Sequence, residues 1–156
     1  MRVVALEEHF TVPALVKRID PAAIARRGFR QRRDPTSGPK PLELAPEIGE
    51  QRMRLMDEAG ITVQVLSNTG PGPDLVPGAE GVAIAREMND HLAAAIARHP
   101  DRFAGIAVLP MQSPDAAAVE FRRAVKDLGF VGALINGSTE DRFLDHPSYD
   151  GLLATA

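Results

Sequence analysis

Four short apolar runs, rich in β-branched residues, most constrain the fold of this 156-residue chain. They are VVAL at residues 3–6, ITVQVL at 61–66, GIAVL at 105–109 and VGALI at 131–135. Continuous apolar runs of this length are typical of strands buried on both faces, as in a parallel sheet covered by helices. The runs therefore predict four buried strands.

Helical patterns lie between these strands. Apolar residues repeat at helical spacing in two segments, residues 80–98 (Ile84, Met88, Leu92, Ala95 and Ile96) and residues 114–128 (Ala118, Phe121, Val125 and Leu128). Residues 47–59 and 148–156 are predicted as two further helices, and Gly60 and Gly129 are expected to end the helices before them. Strands that alternate with helices predict right-handed βαβ units, and hence an α/β fold with a parallel sheet.

Residues 20–41 match no predicted helix or strand. They contain five arginines, with proline and glycine concentrated towards the end of the segment. Two interpretations stay open, a solvated loop or a lid that presents guanidinium groups to an anionic substrate, because arginine pairs bidentately with carboxylates. The sequence shows no linker, so we expect residues 1–156 to form one partial domain that carries this Arg-rich insertion.

The composition excludes several classes of function. The net charge of −3 argues against a nucleic-acid-binding protein, and the absence of cysteine excludes disulfides and thiolate metal sites. No GxxxxGK[ST] or GxGxxG spacing is present to bind a nucleotide phosphate. No leader pattern and no run of about 20 apolar residues are present, so a cytoplasmic protein without membrane contact is expected.

Glu7 and His9 are the residues whose spacing suggests chemistry. Side chains two positions apart on a strand share a face, and their Cα atoms lie about 6.5–7 Å apart. A carboxylate and an imidazole at this separation could bind one Zn²⁺ or another first-row divalent metal. The structural alternative is two exposed polar residues at a strand end. Alternation places Glu8 on the opposite face, where a structural role is expected.

Four further residues are candidates for substrate contact because they follow predicted strands. Ser67 and Asn68 come after the second strand, Asn136 after the fourth, and Phe10 directly after the proposed ligands. The carboxyl ends of parallel strands are where barrel enzymes place their active sites. Phe10 could instead fill the core, and Asn136 before glycine could be an ordinary turn residue.

Five segments together resemble the γ-resorcylate and related hydroxybenzoate decarboxylases of the amidohydrolase superfamily. They are ALEEHF (5–10), MDEAGITVQVLS (56–67), REMNDHLAAAIARHPDRFAGIAVLPMQSPDAA (86–117), LGFVGALINGS (128–138) and FLDHPSYDGLL (143–153). The resemblance implies the N-terminal half of a TIM-type (β/α)8 barrel, with Glu7 and His9 as the first two ligands of Zn²⁺ or Mn²⁺. It places the other ligands and the catalytic residues in the second half, so the chain is expected to be a fragment.

The resemblance also implies the activity, the non-oxidative decarboxylation of a small hydroxylated aromatic carboxylic acid, by a protein that is homo-oligomeric at full length. One alternative keeps the fold and hydrolyses an amide or a lactone with metal-bound water. Another is a non-catalytic subunit, because half a barrel has two unpaired strand edges that could bind a completing partner. The 156 residues alone are expected to bind metal weakly and to be inactive.

Overall fold

A computed structural model describes residues 1–28 and 41–156 of the chain. The strands are β1 (Val4–Phe10), β2 (Val63–Asn68), β3 (Phe103–Ala107) and β4 (Gly132–Ala133). The α-helices are α1 (Pro13–Val16), α2 (Pro21–Arg26), α3 (Pro41–Leu44), α4 (Glu50–Glu58), α5 (Gly78–Arg98), α6 (Pro114–Lys126) and α7 (Asp150–Leu153). Two short 3₁₀ helices, Pro73–Leu75 and Pro147–Tyr149, complete the described elements.

The four strands form one parallel sheet in the order β1-β2-β3-β4. Each connection moves to the next position in the same direction, and parallel crossovers are right-handed in nearly all proteins. The helices of such a sheet therefore cover one face, whereas a doubly wound sheet reverses its strand order and has helices on both faces. The sheet thus has barrel-type topology, and the predicted four parallel strands alternating with helices are confirmed.

The lengths of the first and last strands differ from the predicted runs. β1 continues to Phe10 because its polar end pairs with β2, with His9 opposite Ser67 and Phe10 opposite Asn68. β4 has only two residues, Gly132 and Ala133, which pair with Ile106 and Ala107 of β3. Pairing with a neighbour, which local sequence does not encode, determines where both strands end.

The Arg-rich insertion begins with a helix that the sequence analysis did not predict. Helix α2 (Pro21–Arg26) starts at Asp20, whose side-chain Oδ1 accepts a hydrogen bond from the Ala22 amide at 2.9 Å. An aspartate N-cap followed by proline at the first helical position is a strong start signal. The expectation that residues 20–41 contain no element was therefore wrong at their amino end. Residues 29–40 lie outside the described part.

Helix α5 follows the predicted pattern, whereas α6 is rotated from it. Ile84, Met88, Leu92 and Ala95 of α5 are all buried, as their spacing predicts. In the α6 segment three of the four predicted residues, Ala118, Phe121 and Leu128, pack half-buried against the core, and the fourth, Val125, is 36% exposed. The fully buried positions are instead Ala117, Glu120 and Ala124. The rotation brings a glutamate into the interior, so apolar spacing alone could not predict it. Within residues 1–28 and 41–156, no helix is long and apolar enough to cross a bilayer.

Candidate functional site

A cavity of about 420 Å³ lies at the carboxyl ends of the strands. It is lined by His9, Arg27, Asn68, Thr69, Gly70, Gly72, Pro73, Asp74, Ala107, Val108, Leu109, Met111, Leu134, Ile135, Asn136 and Thr139. The loops after β2, β3 and β4 all contribute, together with the end of β1. One part of the lining is apolar and the other polar, which suits an aromatic ring with polar substituents.

His9 is held at the edge of this cavity by two contacts. Its ring Nδ1 lies 3.2 Å from Ser67 Oγ, and its backbone oxygen accepts a hydrogen bond of 2.8 Å from Arg52 Nη2. A neutral imidazole that donates from Nδ1 to Ser67 leaves the lone pair of Nε2 free to bind a metal. The side chain of His9 is exposed, so Nε2 is accessible from the cavity side.

Glu7 has an unusual backbone conformation. Its φ angle is +58°, in the left-handed region, and the pairing of β1 with β2 shifts register between Ala5 and Glu8. The irregularity interrupts the strict alternation from which a shared face for Glu7 and His9 was predicted. Both residues are nevertheless exposed, and His9 lines the cavity whereas Glu7 is not among the lining residues. Non-glycine residues at positive φ are uncommon and are often found at functional sites.

Glu8 points into a polar cluster instead. Its carboxylate Oε2 accepts a hydrogen bond of 3.3 Å from Gln64 Nε2, and Gln64 Oε1 accepts one of 3.2 Å from Arg52 Nη1. Burial lowers the pKa of the Arg52 guanidinium below its ordinary value, and the carboxylates of Glu8 and Glu47 act in the opposite direction. The cluster agrees with the structural role expected for Glu8.

Glu7 and His9 supply a carboxylate and an imidazole in neighbouring positions on one strand, a donor pair compatible with Zn²⁺ or Mn²⁺. In the described ranges, no group of three or more His, Cys, Asp or Glu side chains is arranged to hold a metal. A stable site needs more ligands than this pair, because structural and catalytic zinc sites use three or four protein donors.

The four predicted substrate contacts fall into two groups. Asn68 and Asn136 line the cavity, as expected from their positions after β2 and β4. Ser67 and Phe10 are fully buried beside it, Ser67 against His9 and Phe10 within the hydrophobic core. Asn68 is 8% exposed, and its buried Oδ1 has no hydrogen-bond partner among the described residues. An amide with unused hydrogen-bonding capacity in a cavity wall is available to a polar ligand.

Arg27 brings the Arg-rich insertion to the cavity. It follows α2, and its Nη2 donates to Asp74 Oδ2 at 3.1 Å and to the Ser138 backbone oxygen at 2.7 Å. Asp74 belongs to the loop after β2 and Ser138 to the loop after β4. One guanidinium therefore connects the loops on both sides of β3. The two interpretations of the insertion, a solvated loop or a lid, did not specify which of its arginines would line the cavity.

A buried polar network supports the wall of the cavity after β3, and the sequence analysis missed it. The Asn89 side chain receives a hydrogen bond from the Val108 amide and donates one to the Val108 oxygen, both at 2.9 Å. It also donates to Glu120 at 2.7 Å, and Glu120 pairs with Arg123 at 2.6 Å. Hydrogen bonding to Glu120 and to Asp90, against an opposing effect of burial, raises the pKa of Arg123 above its ordinary value. The sequence signal that could have indicated this network is Asn89 itself, a polar residue that directly follows Met88 on the apolar face of α5.

The loop after β4 contains a strained two-residue turn. Thr139 and Arg142 exchange two backbone hydrogen bonds of 3.0 Å, and the residues between them, Glu140 and Asp141, have φ angles of +52° and +60°. Positive φ at both central residues defines a type I′ turn, which favours Asn-Gly or Asp-Gly. Thr139 lines the cavity, so this strain lies beside the candidate site.

Replacing Asp141 by glycine is expected to stabilise the chain by about 0.5–1 kcal/mol. The left-handed region costs a non-glycine residue about 1–2 kcal/mol, and the greater freedom of glycine in the unfolded chain offsets about half of this. The free energy of unfolding from urea titration tests the prediction. Asp145→Gly is the matched control, because Asp145 is exposed and lacks a positive φ. A gain in both variants would mean that the turn is not the cause.

Comparison with known proteins agrees with this geometry. The sequence profile of the family described as Amidohydrolase matches residues 9–156. The chain is 42% identical over 146 residues to gamma-resorcylate decarboxylase of Rhodococcus jostii (strain RHA1), covering 91% of this chain and 40% of that protein.

Solved structures of decarboxylases have the same fold. 2,6-Dihydroxybenzoate decarboxylase from Rhizobium matches with a TM-score of 0.78 at 36% identity, covering 99% of this chain and 46% of that one. 5-Carboxyvanillate decarboxylase from Novosphingobium aromaticivorans DSM 12444, complexed with manganese and 4-hydroxy-3-methoxy-5-nitrobenzoic acid, matches with a TM-score of 0.85 at 29% identity. That match covers 99% of this chain and 47% of the other.

The chain thus spans less than half the length of these three proteins. Its four β/α units correspond to the N-terminal part of their barrels, as the resemblance implied. The family profile begins at His9 and continues through the last residue, whereas Glu7 lies before its first matched position. Because the profile covers nearly all of the sequence, the chain belongs to the amidohydrolase family.

Proposed function

We propose that this chain contributes the first two metal ligands and one wall of the substrate cavity to a decarboxylase of hydroxylated aromatic carboxylic acids. The observation that carries the proposal is the position of His9, oriented by Ser67 at the edge of a cavity at the carboxyl ends of the strands. The decarboxylases to which the chain is similar support the choice of reaction over the other chemistries of the fold.

Glu7 and His9 would hold a divalent ion, Zn²⁺ or Mn²⁺, through a carboxylate oxygen and Nε2. The manganese in the related 5-carboxyvanillate decarboxylase supports this choice of metal. When bound, the ion supplies Lewis acidity towards the substrate carboxylate and the adjacent hydroxyl oxygen. Ser67 would keep the His9 ring in the tautomer that exposes Nε2, with its Oγ accepting a hydrogen bond from Nδ1–H.

The cavity wall would bind and orient the aromatic ring. Leu109, Leu134 and Ile135 provide apolar surface, and the amides of Asn68 and Asn136 can hydrogen-bond ring substituents. As the bond to the carboxylate breaks and CO₂ leaves, the ring carbon takes up one proton. The acid that donates this proton belongs, by the family resemblance, to the second half of the barrel.

The proposal predicts CO₂ release from 2,6-dihydroxybenzoate by the protein as its own cells produce it, loaded with Mn²⁺. Resorcinol should accumulate in equal amount, because a proton replaces the carboxylate. Benzoate should remain unchanged, since it has no hydroxyl oxygen beside the carboxylate to complete the chelate. Product analysis by chromatography, with a CO₂ measurement, tests both expectations.

One outcome would contradict the proposal: hydrolysis of a lactone or an amide without CO₂ release would favour the hydrolase alternative. CO₂ release that begins only when a second polypeptide is added would mean that the rest of the barrel is a separate chain, and the roles proposed for Glu7 and His9 would stand. The isolated 156 residues are expected to release no CO₂, because their described part supplies only one pair of candidate ligands.

A further inference from the structure

The backbone of Glu7-Glu8-His9 needs support from its surroundings. Glu7 lies in the left-handed region, and the ladder with β2 is irregular directly before Glu8. Such a conformation costs about 1–3 kcal/mol and persists only where neighbouring groups hold it. Ser67 holds His9 from the β2 side, through the strand ladder and through its contact with the ring, so support from the other side of β1 must come from another residue.

Arg52 of helix α4 provides contacts to this segment. Its three guanidinium nitrogens donate to three acceptors, the Glu47 backbone oxygen from Nε (2.8 Å), Gln64 Oε1 from Nη1 (3.2 Å) and the His9 backbone oxygen from Nη2 (2.8 Å). Gln64 in turn donates to the Glu8 carboxylate at 3.3 Å. Arg52 thus reaches His9 directly and Glu8 through one amide.

The Arg52 side chain is itself held in place. Its backbone amide donates to Glu47 Oε2 at 2.8 Å, at the start of α4, so the helix terminus and the guanidinium share one anchor. The charge of Arg52 also faces Glu8 and Glu47. A planar guanidinium can serve three acceptors in different directions, whereas the single ammonium of lysine cannot reproduce this geometry.

We propose that Arg52 is a positioning residue for the metal site: it holds the carboxyl end of β1, directly after the irregularity at Glu7, so that Glu7 and His9 present their donors together. The inference rests on the proposed function, because that function makes Glu7 and His9 ligands. Without Arg52, the left-handed backbone at Glu7 relaxes towards extended pairing, and the Glu7 carboxylate moves away from His9.

Arg52→Met and Arg52→Lys test the proposal, with Arg54→Met as the matched control on the exposed side of the same helix. Mn²⁺ affinity is measured by electron paramagnetic resonance on the protein as its own cells produce it. We expect a loss of about ten- to hundredfold for Arg52→Met, typical of removing a residue that orients a ligand. Arg52→Lys should lose less, and Arg54→Met should bind Mn²⁺ as the unmodified protein does.

The ¹³Cα chemical shift of Glu7 provides a second measurement that requires no metal, because it differs between left-handed and extended backbone. It should move towards extended values in both Arg52 variants and stay unchanged in Arg54→Met. An unchanged Glu7 shift in folded Arg52→Lys, or unchanged Mn²⁺ affinity in a folded Arg52 variant, would overturn the proposal. Absence of Mn²⁺ binding by the unmodified protein as its own cells produce it would count against the proposed function, and the Glu7 shift would still decide the role of Arg52.

Discussion

Replacing Glu7 by glycine is expected to abolish measurable Mn²⁺ binding and at the same time to stabilise the fold. The substitution removes the carboxylate proposed as a ligand, and it also relieves the left-handed backbone at φ +58°. The relief should raise the free energy of unfolding by about 0.5–1 kcal/mol, after the conformational freedom of glycine in the unfolded chain is subtracted. Mn²⁺ titration and urea unfolding of the same sample measure the two effects.

Two variants separate the causes of these effects. Glu7→Gln keeps a side chain in the strained conformation, so it should lose metal binding without gaining stability. Glu58→Gln removes the same charge from an exposed position at the end of α4 and should change neither property. Metal binding by Glu7→Gly as strong as that of the unmodified chain would exclude Glu7 as a ligand. A loss of stability would mean that the conformation of Glu7 is not strained.

Replacing Asn89 by leucine is expected to lower the free energy of unfolding by about 3 kcal/mol. Leucine has a similar volume, but the amide and the oxygen of Val108 would lose their side-chain partners, and Glu120 would lose one donor. Each buried polar group left without a partner costs about 1–3 kcal/mol, and the added apolar burial offsets only part of this. Urea unfolding followed by circular dichroism measures the change.

The effect should be local to the cavity wall after β3. Hydrogen exchange of the Val108 amide is expected to accelerate more than exchange within β1, which lies at the other end of the sheet. His91→Leu, an exposed substitution on the same helix, should change stability by less than about 0.5 kcal/mol. An equally small change for Asn89→Leu would show that the network contributes little to the fold.

The parts of the fold that follow from local pattern were predictable from sequence. The apolar face of α5 and the glycines that end α4 and α6 depend on residues close together in the chain. Glu120 was not predictable, because a glutamate becomes an interior residue only when its carboxylate is satisfied, here by Arg123 of the same helix and by Asn89 of α5. The spacing of apolar residues indicates which face of a helix is buried. It does not indicate which polar side chains form hydrogen bonds inside the core.

The candidate site likewise has features that the sequence predicted and features that it did not. The positions of Asn68 and Asn136 followed from the rule that parallel strands end at one edge of the sheet, and both line the cavity. The left-handed conformation of Glu7 did not follow, because it arises from the register between β1 and β2, two strands separated by more than 50 residues. Arg52 was also missed, since its partners come from three separate segments.

The strand order also bears on how the chain folds during its synthesis. Every strand after β1 pairs with the strand that precedes it in the sequence, so none of these three has to wait for a partner that is translated later. At about 5–20 residues per second, the ribosome releases each new strand a few seconds after its predecessor. Each β/α unit can then add to a sheet edge that has already emerged, while the outer edge of β1 stays open to pairing with other nascent chains as these four strands assemble.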